Sequence, residues 1–202
     1  MISLVIFDMD GVLVDACEWH RVALNEALKE ICNYEISLED HYKIFNGTPT
    51  KVKLKKLSEM GIIREQNFQQ IEVLKQQKTV EIINRLATER LEKIDLMQYL
   101  KAENIKIACY TNSIRMTAEL MLKKTGIFKY LDLLITNQDV AEPKPSPEGY
   151  LLCLKKMNIE DKNAIIIEDS PKGVEAAKLS GCHFVQVKNP DEVTIKLIKE
   201  LI

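Results

Sequence analysis

Five short apolar runs rich in β-branched residues, at residues 2–7, 105–110, 131–135, 164–167 and 183–187, constrain this chain more than any other feature. Runs so short and so continuously apolar suit strands buried on both faces, as in a parallel sheet. Parallel neighbours need crossover connections, and helical stretches stand between the later runs. The stretch from Met116 to Lys124 ends at Gly126, and that from Pro171 to Leu179 ends at Gly181. Each glycine falls where a helix C-terminus favours one. Strand and helix in alternation predict an α/β fold with a doubly wound, Rossmann-like parallel sheet.

The first strand departs from that rhythm. Residues 16–91 carry helical patterns but no convincing strand, which predicts a helical cap inserted into a core made of residues 1–15 and 92–202. Its helices are expected over about Glu18–Ile31, Ser37–Ile44, Thr50–Met60 and Glu65–Leu91, with loops at Gly47-Thr48-Pro49 and Gly61. Such an insertion is either a lid for the sheet's carboxyl edge or a packing appendage, and the placement of the motifs favours a lid.

Lys and Arg number 28 against 30 Asp and Glu, a net charge of -2, so no global field recruits nucleic acid or an anionic membrane. Met1–Phe7 is apolar but lacks a basic leader and is cut short by Asp8, a poor signal peptide. No run approaches the roughly 20 apolar residues of a membrane helix. The cysteines, Cys17, Cys32, Cys109, Cys153 and Cys182, are scattered and form no C-x-x-C pair, which predicts reduced thiols in a cytoplasmic protein. Any anionic partner has to be bound locally.

Ligands of open α/β sheets bind beyond the carboxyl ends of the strands, so the residues that follow each strand matter most. The first strand ends in Asp8-Met9-Asp10-Gly11. Two carboxylates one residue apart point to the same side of an extended chain, a costly arrangement unless a cation or a proton is shared. Alternatively they form a solvated turn; a calcium loop would need glycine where Leu13 stands. Thr111-Asn112-Ser113 after the second strand offers a hydroxyl and free N–H groups at the opening of a helix, an anion site or a plain N-cap. Beyond the third strand, the prolines in Glu142-Pro143-Lys144-Pro145-Ser146-Pro147 restrict the chain around Lys144, and Ser146 with Pro147 reads as N-cap and first helical residue. Glu168-Asp169 after the fourth strand is expensive at a buried strand end unless it holds a metal, although helix-dipole stabilisation is also open to it.

These four signals fall at one edge of the predicted sheet in the order acid pair, hydroxyl, lysine, acid pair. In that order and spacing the chain resembles, over its whole length, the haloacid dehalogenase-like phosphatases, in the subgroup of β-phosphoglucomutase and phosphoglycolate phosphatase. The motifs that carry the resemblance are Asp8-Met9-Asp10-Gly11, Thr111-Asn112-Ser113, Lys144 and Glu168-Asp169. It implies a phosphatase that hydrolyses a small phosphate monoester, a sugar phosphate or similar metabolite, through an aspartyl phosphate on Asp8. Magnesium is the implied cofactor, held by the Asp8 carboxylate, the Asp10 backbone carbonyl and Asp169, with Glu168 steadying a metal-bound water. Lys144 adds positive charge near Asp8 and the transferring group, while Thr111 and the Asn112 N–H bind its equatorial oxygens. Asp10 is implied to protonate the leaving oxygen and then to deprotonate the attacking water.

Substrate choice is expected to lie with the cap, at His20 and in Gly47, Thr48, Thr50 and Lys51, whereas Lys53, Lys55 and Lys56 with Lys51 read as a solvated face. The protein is expected as a monomer or weak homodimer. A phosphosugar mutase is the alternative: His20 agrees with the mutase pattern, but that pattern carries arginine where Thr50 stands and threonine where Ala16 stands. A noncatalytic phosphometabolite-binding relative is a weaker alternative. Nucleotide-binding glycine loops of either common type are missing.

Overall fold

Leu4-Val5-Ile6-Phe7 is inaccessible to solvent along its whole length, as expected of a strand sandwiched between two layers. In the computed structural model, which describes all residues 1–202, this strand β1 (Leu4–Phe7) is the centre of a five-stranded sheet. The other strands are β2 (Lys106–Tyr110), β3 (Leu133–Ile135), β4 (Ala164–Glu168) and β5 (His183–Gln186). The order is β3-β2-β1-β4-β5 and every pairing is parallel, so the predicted α/β sheet is present. Alternate residues Leu4 and Ile6 join Ala108, Tyr110, Ile166 and, from helix α7 (Glu148–Met157), Tyr150 and Cys153 in one core layer.

The chain divides into two compact units, Met1–Asp15 with Thr88–Ile202, and Ala16–Ala87. The second unit holds α1 (Cys17–Cys32), a short α2 (Leu38–Asp40) running into a π-helical turn (His41–Phe45), α3 (Thr50–Glu59) and α4 (Phe68–Leu86). Its core gathers Leu24, Leu28, Phe45, Leu54, Leu57 and Ile71. Asn25 is buried there and clasps the Ile36 backbone from both sides, donating to its carbonyl at 2.9 Å and accepting from its N–H at 3.0 Å. Of the four lysines expected on a solvated face, Lys51, Lys55 and Lys56 are exposed, but Lys53 is buried one turn before Leu57 on the same stripe.

The helix expected over Glu65–Leu91 is broken. A 3₁₀ turn (Glu65–Asn67) precedes α4, and the backbone becomes extended at Ala87 before α5 (Leu91–Ala102) begins in the other unit. That helix buries Lys93, Leu96, Met97 and Leu100, a regular apolar stripe hidden from periodicity because a lysine heads it. The Lys93 ammonium donates to the carbonyls of Pro190 and Val193, which is how a charged residue comes to sit in that stripe. The later helices are α6 (Arg115–Lys124), α7, α8 (Pro171–Ser180) and α9 (Ile195–Lys199). Helix α7 starts at Glu148, one residue later than expected, with the Ser146 hydroxyl accepting from the Glu148 N–H at 3.3 Å. No helix is long and apolar enough to cross a membrane, and the five cysteines form no disulfide.

Candidate active site

Parallel pairing carries the ends of neighbouring strands to one edge, and the chain continues the ladder there: the Asp8 N–H donates to Ile167 O and the Thr111 N–H to Ile135 O. Asp8 thus leaves β1 beside Glu168, the last residue of β4, and beside the start of the Thr111 loop. After Asp8 the backbone folds back at once. The N–H groups of Val12, Leu13 and Val14 converge on the Met9 carbonyl, and Gly11 adopts φ 93°, a conformation that disfavours a side chain. A Cβ at Gly11 would also overlap the Asp169 carboxylate.

Lys144 is buried and its ammonium donates three hydrogen bonds: to Asp8 Oδ1 at 2.5 Å, to Glu168 Oε1 at 2.5 Å and to the Tyr110 carbonyl at 3.0 Å. The edge-to-face pair of Tyr110 and Tyr150 lies beside it, ring centroids at 4.7 and 5.1 Å. Burial opposes its charge, but Asp8 and Glu168 outweigh that and hold Lys144 well above the ordinary lysine range. The loop carrying it contains a cis Lys144–Pro145 bond and is clasped by Asn112, whose side chain accepts from the Lys144 N–H at 3.1 Å and donates to its carbonyl at 3.3 Å.

Glu168 is inaccessible and saturated. Its Oε1 accepts from Lys144 and from the Tyr150 hydroxyl at 2.7 Å; its Oε2 accepts from the N–H groups of Asp169 and Ser170 and from the Ser170 hydroxyl. A carboxylate offers about four lone-pair positions, so nothing remains for another ligand. Gly173, in the first turn of α8, lets this carboxylate lie against the helix, since a Cβ there would overlap it. Gly173→Ala is therefore expected to destabilise the protein by about 1–3 kcal/mol, overpacking outweighing the ~1 kcal/mol helix-propensity gain. The urea midpoint reads this directly; an unchanged midpoint would mean that Glu168 has room to move.

Burial pushes Asp8 well above the usual carboxylate range, and Lys144 pulls it back. Burial and then the neighbouring Glu168 push Asp169 up to about 7. Carboxylate oxygens of Asp8, Glu168 and Asp169 lie within 4.8 Å of one another, and Asp169 Oδ1 is buried without a hydrogen-bond partner. Asp8 and Asp169, close to a third carboxylate and with one oxygen unsatisfied, fit a hard, oxygen-seeking cation. The acidic cluster is thus able to hold a metal ion. Cysteine chemistry does not fit, because burial pushes Cys109 well up and Cys153 up to about 12, leaving both as thiols.

Asp10, the second acid of the pair, accepts from the Ser113 hydroxyl at 2.9 Å and lies 3.4 Å from the Thr111 hydroxyl. Thr111-Asn112-Ser113 is a loop rather than a helix opening: α6 begins at Arg115, and the Thr111 hydroxyl accepts from the Ser113 N–H at 3.0 Å. Asp8, Asp10, Thr111, Asn112, Lys144, Glu168 and Asp169 are therefore brought to one strand edge. The residues His20, Gly47, Thr48, Thr50 and Lys51 belong to the helical unit. There His20 Nδ1 is 3.4 Å from Lys75 Nζ, Gly47 turns with φ 68°, and Thr50 and Lys51 open α3. Sequence reading missed Tyr150 and Gly173. Only the glycine left a signal, as an otherwise costly residue within a helix.

With this geometry in view, similarity to known proteins becomes informative. The family profile of haloacid dehalogenase-like hydrolase matches residues 5–187. The chain belongs to that family. It is 31% identical over 179 residues to a phosphorylated carbohydrates phosphatase of Thermotoga maritima, covering 88% of this chain and 81% of the relative. It is 28% identical over 187 residues to the fructose-1-phosphate phosphatase YqaB of Escherichia coli, covering 91% of this chain and 95% of the relative. Among solved structures, β-phosphoglucomutase from Clostridium difficile matches with TM-score 0.85 and 22% identity over 99% of this chain and 96% of that one, a likeness of fold.

Proposed function

We propose that this protein is a magnesium-dependent phosphatase that hydrolyses a small phosphate monoester, a sugar phosphate or similar metabolite, through an aspartyl phosphate on Asp8. The observation that carries this reading is the Asp8 carboxylate held by Lys144 at the strand edge beside the unpartnered oxygen of Asp169. The names of the relatives, phosphatases of phosphorylated carbohydrate and fructose 1-phosphate, support the substrate class.

Asp8 attacks phosphorus in line with the ester oxygen, the phosphorus–oxygen bond to the alcohol breaks, and Asp10 gives its proton to that leaving oxygen. The Asp10 carboxylate then takes a proton from water as the water oxygen attacks phosphorus, which releases phosphate and restores Asp8. The Thr111 hydroxyl and the Asn112 N–H are assigned to the equatorial oxygens. Magnesium, when held by Asp8, the Asp10 carbonyl and Asp169, supplies the positive charge that lets one anion approach another. Glu168, with both oxygens engaged, is assigned to Lys144 rather than to the metal. His20, Gly47, Thr48, Thr50 and Lys51 are assigned to choosing the organic half of the substrate.

Turnover of p-nitrophenyl phosphate and of a sugar-phosphate panel, read by phosphate release, tests the reading. Activity is expected to vanish in excess EDTA, return with magnesium and fall with calcium, whose looser coordination misplaces the attacking oxygen. Asp169→Ala should raise the magnesium concentration for half-activation more than Glu168→Gln does. Full activity in EDTA, or the reverse order of the two variants, would rule out this ligand set. Asp10→Asn should lower kcat on sugar phosphates by about 10²- to 10⁴-fold; a variant near the parent rate would remove Asp10 from its role.

A further inference from the structure

We infer that Tyr150 is a positioning residue for phosphoryl transfer, holding Lys144 on Asp8 by sharing Glu168. The inference rests on the phosphatase reading and extends it to a residue outside the acid, hydroxyl and lysine motifs. Tyr150 is completely buried, edge-on to Tyr110 at 5.0 Å between ring centroids, and its hydroxyl donates to the same Glu168 oxygen that receives Lys144. A Cβ at the neighbouring Gly149 would overlap the Tyr110 ring, so glycine there lets the two rings pack together beside the ammonium.

Glu168 and Asp8 compete for one ammonium, each at 2.5 Å. A buried carboxylate draws on a cation more strongly when it has fewer other donors. The Tyr150 hydroxyl supplies such a donor to Oε1, while Asp169 and Ser170 fix Oε2, so Glu168 neither rotates nor captures Lys144 outright. Removing the hydroxyl leaves Oε1 to Lys144 alone. The ammonium then shifts toward Glu168, and Asp8 loses the contact that orients it for attack.

Tyr150→Phe keeps the ring and removes only the hydroxyl. With p-nitrophenyl phosphate as the probe, kcat is expected to fall about tenfold, while KM and the magnesium concentration for half-activation stay within about twofold. In a Glu168→Gln background the same substitution should change kcat by less than about twofold, because the residue acts through Glu168. Where Glu168→Gln fails to fold, Lys144→Arg serves as the background with the same expectation. An active parent whose Tyr150→Phe form keeps its kcat, or whose loss is undiminished in either background, overturns the inference and leaves the phosphatase reading standing. A parent without turnover brings down both.

Discussion

Asp8→Asn is expected to lower phosphatase turnover by more than about 10³-fold while the protein stays folded. Both properties follow from the position of the carboxylate. Asp8 ends the central strand, its N–H continues the ladder to Ile167, and its side chain is almost fully buried against Lys144. An amide has nearly the same volume and still offers an oxygen to the ammonium, so packing and one hydrogen bond survive. It lacks the charge and the free lone pair that attack phosphorus. Removing a carboxylate whose burial is unfavourable also relieves part of the cost of the native state, so a melt at or above the parent's is compatible with the account. Circular dichroism matching the parent together with undiminished phosphate release would sink the assignment of Asp8.

Lys144→Met has the second large effect, and it falls on stability as well as rate. The substitution keeps an unbranched apolar stem but leaves Asp8 and Glu168 buried without their cation. Breaking a buried ion pair from one side costs about 3–5 kcal/mol. The penalty belongs to the charged carboxylates, so it has a definite dependence on pH. Without lysine nothing offsets the burial that raises the folded Asp8 pKa above its unfolded value, so the deficit is full above that folded value. It fades as pH falls and both states become protonated. Urea unfolding at neutral pH should therefore show a much lower midpoint than the parent, with the gap narrowing toward acid. Magnesium should restore more stability to the variant than it adds to the parent, because a cation replaces a lost one. A midpoint equal to the parent's at neutral pH would contradict the central place given to Lys144. Turnover should be lost with it, since Asp8 is no longer oriented.

The parallel sheet was legible because its strands are buried on both faces and so read as uninterrupted apolar runs; Leu4–Phe7 and Ala164–Glu168 are the clearest. The site residues that leave those strands were legible for the same reason, since Asp8 and Glu168 are the first charges after the runs. Four things were hidden. Helix α5 was missed because Lys93 heads its buried stripe, and only the carbonyls of Pro190 and Val193, about a hundred residues away in sequence, explain a lysine there. Lys53 was grouped with exposed lysines because charge alone predicts solvent, whereas its place before Leu57 on α3 puts it in the buried row. Tyr150 belongs to none of the motifs that the sequence displays. Its hydroxyl matters only through Glu168 on a different element, and no local pattern encodes that contact. Asn112 likewise reads as an N-cap, while its side chain fastens the Lys144 loop from 32 residues away in sequence.

The most direct test is to trap the phosphoryl group on Asp8. In Asp10→Asn the first step with p-nitrophenyl phosphate needs little proton donation, because the leaving phenolate is stable, whereas release from Asp8 still needs a base to activate water. The intermediate should then accumulate. After acid quench and digestion, mass spectrometry is predicted to find one added phosphoryl group on the peptide that contains Asp8, removed by hydroxylamine as an acyl phosphate is. No such peptide should appear when Asp8→Asn is combined with Asp10→Asn. Phosphate release without any phosphorylated peptide, or a phosphoryl group on a residue other than Asp8, would contradict the account.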